Sequence, residues 1–207
     1  MAYIFLDCEM GSVDLEYSLL SSYFLVVDGN FQKIDELELF VKPDDGKFIV
    51  TGEAMGVNRI DLYAHSLKAK TYKEAGTILY KWLDKLTENG KVKFVPVGHG
   101  VTGDIKFITK YLISRGSWEK FMSYRVLDTS SVCQFLKSCN MFPEDVSGSL
   151  ESLAKYFQIN QQPGDDVNFH DAKFDTEITF KVFMALRKLL MSPALPPVAP
   201  LEEWGDS

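Results

Sequence analysis

Asp28-Gly29-Asn30 is flanked on both sides by β-favouring sequence, and no other feature constrains the fold as much. Ser21 to Val27 leads in, and Phe31 to Val41 leads out with an imperfect alternation of Ile34, Glu36, Leu37, Glu38, Leu39 and Phe40. Glycine and asparagine tolerate the left-handed backbone of a tight turn, so the arrangement reads as a hairpin. A further apolar run, residues 2–8, precedes it. The three runs are expected to form an antiparallel meander.

After Pro43-Asp44-Asp45-Gly46 the period changes. From Tyr72 to Leu86 the apolar set Ala75, Ile78, Leu79, Trp82, Leu83 and Leu86 follows helical spacing. Lys93 to Val97 reads as a strand, Asp104 to Ser114 as a helix, Tyr124 to Leu127 as a strand and Ser130 to Ser138 as a helix. Ser149 is placed to cap a helix over Leu150 to Phe157, and a closing helix is expected from Ala172 to Met191. Antiparallel strands followed by alternating helix and strand imply an α/β fold, a mixed sheet flanked by helices. With 207 residues, 46% of them hydrophobic, one domain over residues 1–190 can bury a sizeable core. Residues 191–207 hold four of the eight prolines and an acidic end, and are expected to form a flexible tail. Trp204 among those acids is a candidate contact for a protein partner.

The balance of charge excludes one class of function. Net charge is -7, whereas proteins that track along duplex nucleic acid by neutralising phosphates are usually basic. Lys106, Lys110, Arg115 and Lys120, like Lys68, Lys70 and Lys73, are expected to be solvated helix faces. Cys8, Cys133 and Cys139 cannot build a disulfide framework, and no cysteine pair has the spacing of a structural zinc site. Without a basic signal start or an apolar run of membrane-spanning length, the chain is expected to be soluble and intracellular, with no membrane partner.

Three places carry chemistry. Side chains alternate along a strand, so Asp7 and Glu9 share one face while Cys8 points to the other. Two carboxylates together at the end of an apolar strand repel each other unless water or a cation separates them. Asp104 follows the loop Gly98 to Gly103 and opens a helix; it is either a cap or a site residue, if strand 93–97 lies beside the first strand. His170 stands just ahead of the last helix with Asp175 five residues on. Of the other histidines, His99 lies between glycines and His65 falls in a polar loop with no evident role.

Jointly, Phe5-Leu-Asp-Cys-Glu-Met-Gly11, Val97-Gly-His-Gly-Val-Thr-Gly-Asp104 and His170-Asp-Ala-Lys-Phe-Asp175 resemble the three motifs of the histidine-containing (DEDDh) branch of the DEDD 3′–5′ exonucleases. Relatives include proofreading exonucleases, ribonuclease T and oligoribonuclease. Val126-Leu-Asp-Thr129, Leu150 to Phe157 and Ala54 to Ile60 support the resemblance, which covers about residues 3–190. It implies a ribonuclease H-like fold, with Asp7, Glu9, Asp104 and Asp175 as metal carboxylates and His170 as general base. Two divalent cations, Mg²⁺ or Mn²⁺, would suit four hard oxygen donors and activate a water for in-line displacement. An ordinary imidazole, with a pKa near 6.5, accepts a proton at neutral pH. Met10, Gly11, Met55, Asn58 and His99 correspond to substrate-binding positions. This chain departs from the family in the middle motif, where Gly100 and Gly103 stand in place of asparagine and an aromatic residue.

The implied activity is metal-dependent hydrolysis at the 3′ end of single-stranded or short nucleic acid, releasing nucleoside 5′-monophosphates. The Asp-Cys-Glu-Met wording, shared with RNA-processing members, favours RNA slightly over DNA. The resemblance also admits a homodimer. A catalytically weak binding module, recruiting nucleic acid or a protein, is the alternative; it has no physical need for all five motif residues. A metal-dependent phosphatase or endonuclease would keep the ions and differ in its products.

Overall fold

The computed structural model describes residues 2–159 and 170–191. Six strands form one sheet: β1 (Ala2–Met10), β2 (Leu19–Val27), β3 (Lys33–Lys42), β4 (Lys70–Thr71), β5 (Phe94–Gly98) and β6 (Leu127–Asp128). Their order is β4-β3-β2-β1-β5-β6. A turn joins β2 to β3 where the sequence predicts it, although its left-handed residue is Phe31 (φ 62°) rather than Gly29 or Asn30, and β1 pairs antiparallel with β2, Asp7 opposite Tyr23. Beyond the meander the sheet turns parallel, with β5 against β1 (Phe5 opposite Val97) and β6 against β5. This is the expected mixed architecture, and it sets β5 beside the first strand.

Helices α1 (Gly52–Asn58), α2 (Leu62–Lys68), α3 (Tyr72–Leu86), α4 (Thr102–Tyr111) and α5 (Arg115–Phe121) lie between or after these strands. They are followed by α6 (Thr129–Ser138), α7 (Leu150–Tyr156) and α8 (Ala172–Leu190). The pleat of β1 divides the core. Ile4, Leu6 and Cys8 face one way and pack with Leu79 and Leu83 of α3, Phe107 and Ile108 of α4, and Phe121 of α5. Phe5 faces the other way, with Tyr23, Leu25 and Val97, onto Ala172, Phe180 and Phe183 of α8. A second helical layer, Cys133 and Leu136 of α6 and Leu153 of α7, closes over Ile178, Val182 and Leu186.

α3 begins with a capping box, Thr71 and Glu74 each satisfying the other's backbone N–H. Gly76 lies within it against the end of α4: a methyl group there would come 2.0 Å from the Leu112 carbonyl oxygen.

Several expectations need correction. The helix expected to run to Ser114 ends at Tyr111, and Ser114 caps a separate α5. The strand expected over Tyr124–Leu127 is only Leu127–Asp128, and Tyr124 is exposed. The stretch that reads as a polar loop holds α1 and α2, started by the side chains of Thr51 and Asp61. His65 is therefore not a loop residue. On α2 it is 3% exposed, its Nε2 lies 2.9 Å from the Val41 carbonyl oxygen, and burial pulls its pKa down. Such an imidazole is neutral and donates from Nε2. The proposed tail, 191–207, lies outside the described residues apart from Met191. No described helix is long and apolar enough to cross a membrane.

Candidate active site

Asp7 and Glu9 project from the same face of β1 as Phe5, towards α8. There the first turn of α8 presents Asp175. Asp171 caps this helix, its Oδ1 accepting the Phe174 N–H at 3.0 Å. Each of Asp7, Glu9 and Asp175 offers a carboxylate oxygen within 4.8 Å of the others. Glu9 is 9% and Asp175 8% exposed, so the cluster is largely withdrawn from water.

Withdrawal and mutual repulsion both disfavour the ionised forms. Burial, and then the charges of Asp175, Asp171 and Asp104, push Glu9 up to about 8. Burial raises Asp175 to about 6 although the His170 backbone N–H stabilises its charge. Asp7 is driven well above the ordinary carboxylate range by burial and then by Asp104, Glu9 and Asp175. Asp175 Oδ2 accepts the His170 N–H at 3.0 Å, whereas its Oδ1 is fully buried with no hydrogen-bond partner. An unpaired buried carboxylate oxygen is costly. Three converging carboxylates and one orphaned oxygen fit a divalent cation: it would neutralise the repulsion and supply the missing partner.

Asp104 is not in this group. It sits 4% exposed in the first turn of α4, raised to about 8 by burial while hydrogen bonds from its own backbone and that of Cys8 oppose the shift. Its charge is the largest neighbouring influence on Asp7, but it does not line the cavity in front of the cluster. His170 does line that cavity, and its backbone adopts the left-handed region with φ 74°.

The cavity holds about 420 Å³. Met10, Ala54 and Val57 give it an apolar wall, and Asn58 ties that wall to β1 by donating from Nδ2 to the Met10 carbonyl at 3.3 Å. Of the five expected substrate positions, Met10 and Asn58 line the cavity. Met55, Gly11 and His99 do not. Gly11 is a crossing point instead: its N–H donates to the Ser18 carbonyl, its carbonyl accepts the Thr51 N–H, and a methyl group on it would lie 2.5 Å from the Ile49 carbonyl oxygen. His99 Nδ1 is 2.9 Å from Thr129 Oγ1, a link between the β5 loop and α6. The resemblance points to the segment Ala54 to Ile60 as apolar contacts for a terminal base without saying which of its residues face the cavity, and Thr51 is not singled out by sequence. Ala54, Val57 and Asn58 stand at i, i+3 and i+4, one face of a helix, and that spacing is the available signal.

No family model matches this chain, and no curated protein does. Solved structures do. Exonuclease I of E. coli in complex with a dT13 oligonucleotide superposes with TM-score 0.63 at 15% identity, covering 90% of this chain and 40% of that one. A moderately thermophilic exonuclease I from Methylocaldum szegediense gives 0.66 at 16% identity, with the same coverage. The zinc ion-bound form of the E. coli exonuclease I–ssDNA complex gives 0.63 at 15%, covering 91% and 42%. This is a likeness of fold. The chain spans about two fifths of the length of those exonucleases. They share its mixed α/β architecture.

Proposed function

We propose that the chain is a metal-dependent 3′–5′ exonuclease of the DEDDh type, hydrolysing single-stranded or short nucleic acid from its 3′ end. The observation that carries this is the trio Asp7, Glu9 and Asp175, Asp7 half-buried and the other two buried, with the unpartnered Oδ1 of Asp175, opening onto a cavity with one apolar wall. Asp7, Glu9 and Asp175 would hold divalent cations, Mg²⁺ or Mn²⁺, two in the family pattern, with Asp104 as the fourth carboxylate. A bound cation of this kind supplies a water of lowered pKa and stabilises charge on the phosphate and leaving oxygen.

The chain's own residues do the rest. Met10, Ala54 and Val57 present an apolar surface for the terminal base, and Asn58 keeps that surface fixed to the strand bearing Glu9. His170, on the rim, takes one proton from the attacking water as its oxygen bonds to phosphorus. The phosphorus–O3′ bond breaks, the O3′ atom leaves with the bond's electron pair and takes a proton from solvent water, His170 returns its own proton to solvent, and a nucleoside 5′-monophosphate is released. The backbone N–H of His170 bonds to Asp175, so the proposed base and a proposed ligand are held as one unit. Asp171 caps the helix that carries Asp175. Asp165 and Asp166 lie outside the described residues.

The test is to incubate the protein with 5′-labelled single-stranded RNA and DNA in Mg²⁺, Mn²⁺ or EDTA. A cation-dependent ladder shortening from the 3′ end is the expected result, with RNA degraded somewhat faster. Failure to shorten either strand in any cation would overturn the reading.

A further inference from the structure

A second cavity, about 250 Å³, adjoins the first and shares Glu9, Asn58 and His170 with it. Its lining differs in carrying two cations beside the carboxylates of Glu9, Asp61 and Asp171. Arg59 and Lys68 both line it. Arg59 ends α1 in the left-handed conformation, φ 54°, with its N–H bonded to the Met55 carbonyl at 3.0 Å. Its side chain makes no ion pair among the described residues. Lys68 is likewise without an ion pair there, and its ammonium sits 3.4 Å from the centroid of the Phe40 ring. That contact with the π face orients a flexible cation. Among the described residues three cations are ion-paired, Arg115 with Glu119, Lys120 with Asp84 and Lys33 with Glu36.

Three carboxylates also line this cavity, and none of them is ion-paired with Arg59 or Lys68. Asp61 accepts the Tyr63 and Ala64 N–H groups as the cap of α2, and Asp171 accepts that of Phe174. Glu9 belongs to the carboxylate trio. Two cations therefore remain free to meet an anion. A guanidinium presents a fork that matches two phosphate oxygens, while an ammonium acts as a point charge.

We propose that this second cavity is a phosphate subsite, in which Arg59 and Lys68 hold the phosphodiester next to the one cleaved. The proposal rests on the exonuclease reading for its substrate, a strand with at least two consecutive phosphodiesters. A strand whose scissile phosphate lies over the carboxylates and whose terminal base lies on Met10 and Val57 continues past Asn58 and His170 into the cationic cavity.

The test is the double variant R59A/K68A, both residues being exposed and outside the carboxylate cluster, with folding checked by thermal melting. Binding of a 5′-fluorescein single-stranded oligonucleotide is followed by anisotropy in EDTA, which needs no turnover. Hydrolysis of the same strand is compared with that of thymidine 5′-monophosphate p-nitrophenyl ester, which has a single phosphodiester. The variant should bind the strand roughly tenfold more weakly, and its log affinity should fall less steeply with log salt by about 0.7 for each phosphate that is no longer neutralised. Strand cleavage should fall while hydrolysis of the small ester changes little. Equal strand affinity and salt slope in variant and parent would overturn the subsite. If the parent hydrolyses neither substrate, the exonuclease reading fails, while the anisotropy difference still decides the subsite.

Discussion

Changing Glu9 to glutamine removes one negative charge from a largely buried trio and keeps the side chain's size, so it measures what the cluster costs the fold. The ordinary glutamate value is 4.5, and in the folded protein burial and neighbouring carboxylates push it up to about 8. An acid whose pKa is higher folded than unfolded binds its proton more tightly in the folded state. Its contribution is fully present below the unfolded value and is lost as pH rises through the folded one. The metal-free protein should therefore lose stability from about pH 4.5 to about pH 8. At about 1.4 kcal/mol per pH unit over that interval, the loss from Glu9 approaches roughly 5 kcal/mol. At about 2–4 °C per kcal/mol for a chain of this length, that is a melting difference of roughly 10–20 °C.

The assay is thermal unfolding in EDTA at a series of pH values, followed by the same series with Mn²⁺. In EDTA the E9Q protein should match the parent near pH 4 and exceed it increasingly towards about pH 9. Mn²⁺ should raise the parent's Tm, by about 2.7 kcal/mol of stability at a hundred times its Kd, and should move the variant much less. Parallel melting curves for the two proteins across the whole pH range would refute the reasoning. So would an equal response of both to the cation.

Three other outcomes follow from the same geometry. His170→Ala should leave Mn²⁺ binding intact, as read by titration calorimetry, while hydrolysis falls about 10²–10⁴-fold; undiminished turnover would remove the imidazole from the mechanism. Asp175→Asn should weaken Mn²⁺ binding by more than about tenfold, over about 1.4 kcal/mol, and an unchanged calorimetric titration would contradict the role given to its unpartnered oxygen. Gly11→Ala should destabilise the protein by about 1–3 kcal/mol in urea unfolding, because the added methyl meets the Ile49 carbonyl and Val50; a neutral substitution would mean the two segments separate easily.

The parts of the fold that depend on local pattern are legible in the sequence. Asp28-Gly29-Asn30 marks the hairpin, and the repeating apolar faces of α3 and α8 are long enough to identify a helix by period alone. α1 and α2 are not, because seven residues hold too few turns to show a period, and Gly52 and Gly56 lower the propensity of the first. Their existence depends on the caps Thr51 and Asp61 and on packing that a sequence does not display. The candidate site divides in the same way. Asp7 and Glu9 share a face by strand geometry, and Asp175 meets them because α8 lies on that face. The apolar wall depends on α1, and so Ala54 and Val57 emerge only with the helix. Gly11 and His99 read as substrate contacts from their neighbours in sequence. The fold bonds Gly11 to Ser18 and Thr51 and His99 to Thr129, and Thr51 and Thr129 come from distant segments.

The placement of the trio has a consequence for the life of the chain. Asp7 and Glu9 belong to the first strand and Asp175 to the last helix described, so the cluster exists only once the polypeptide has returned to its starting strand. A ribosome-bound or truncated chain lacking α8 presents two carboxylates and no third. On the proposed reading, cation affinity would gauge completed folding. An intermediate with the meander and α3 in place lacks the third carboxylate, so on the proposed reading cation binding, and any cleavage that depends on it, waits until the final helix docks.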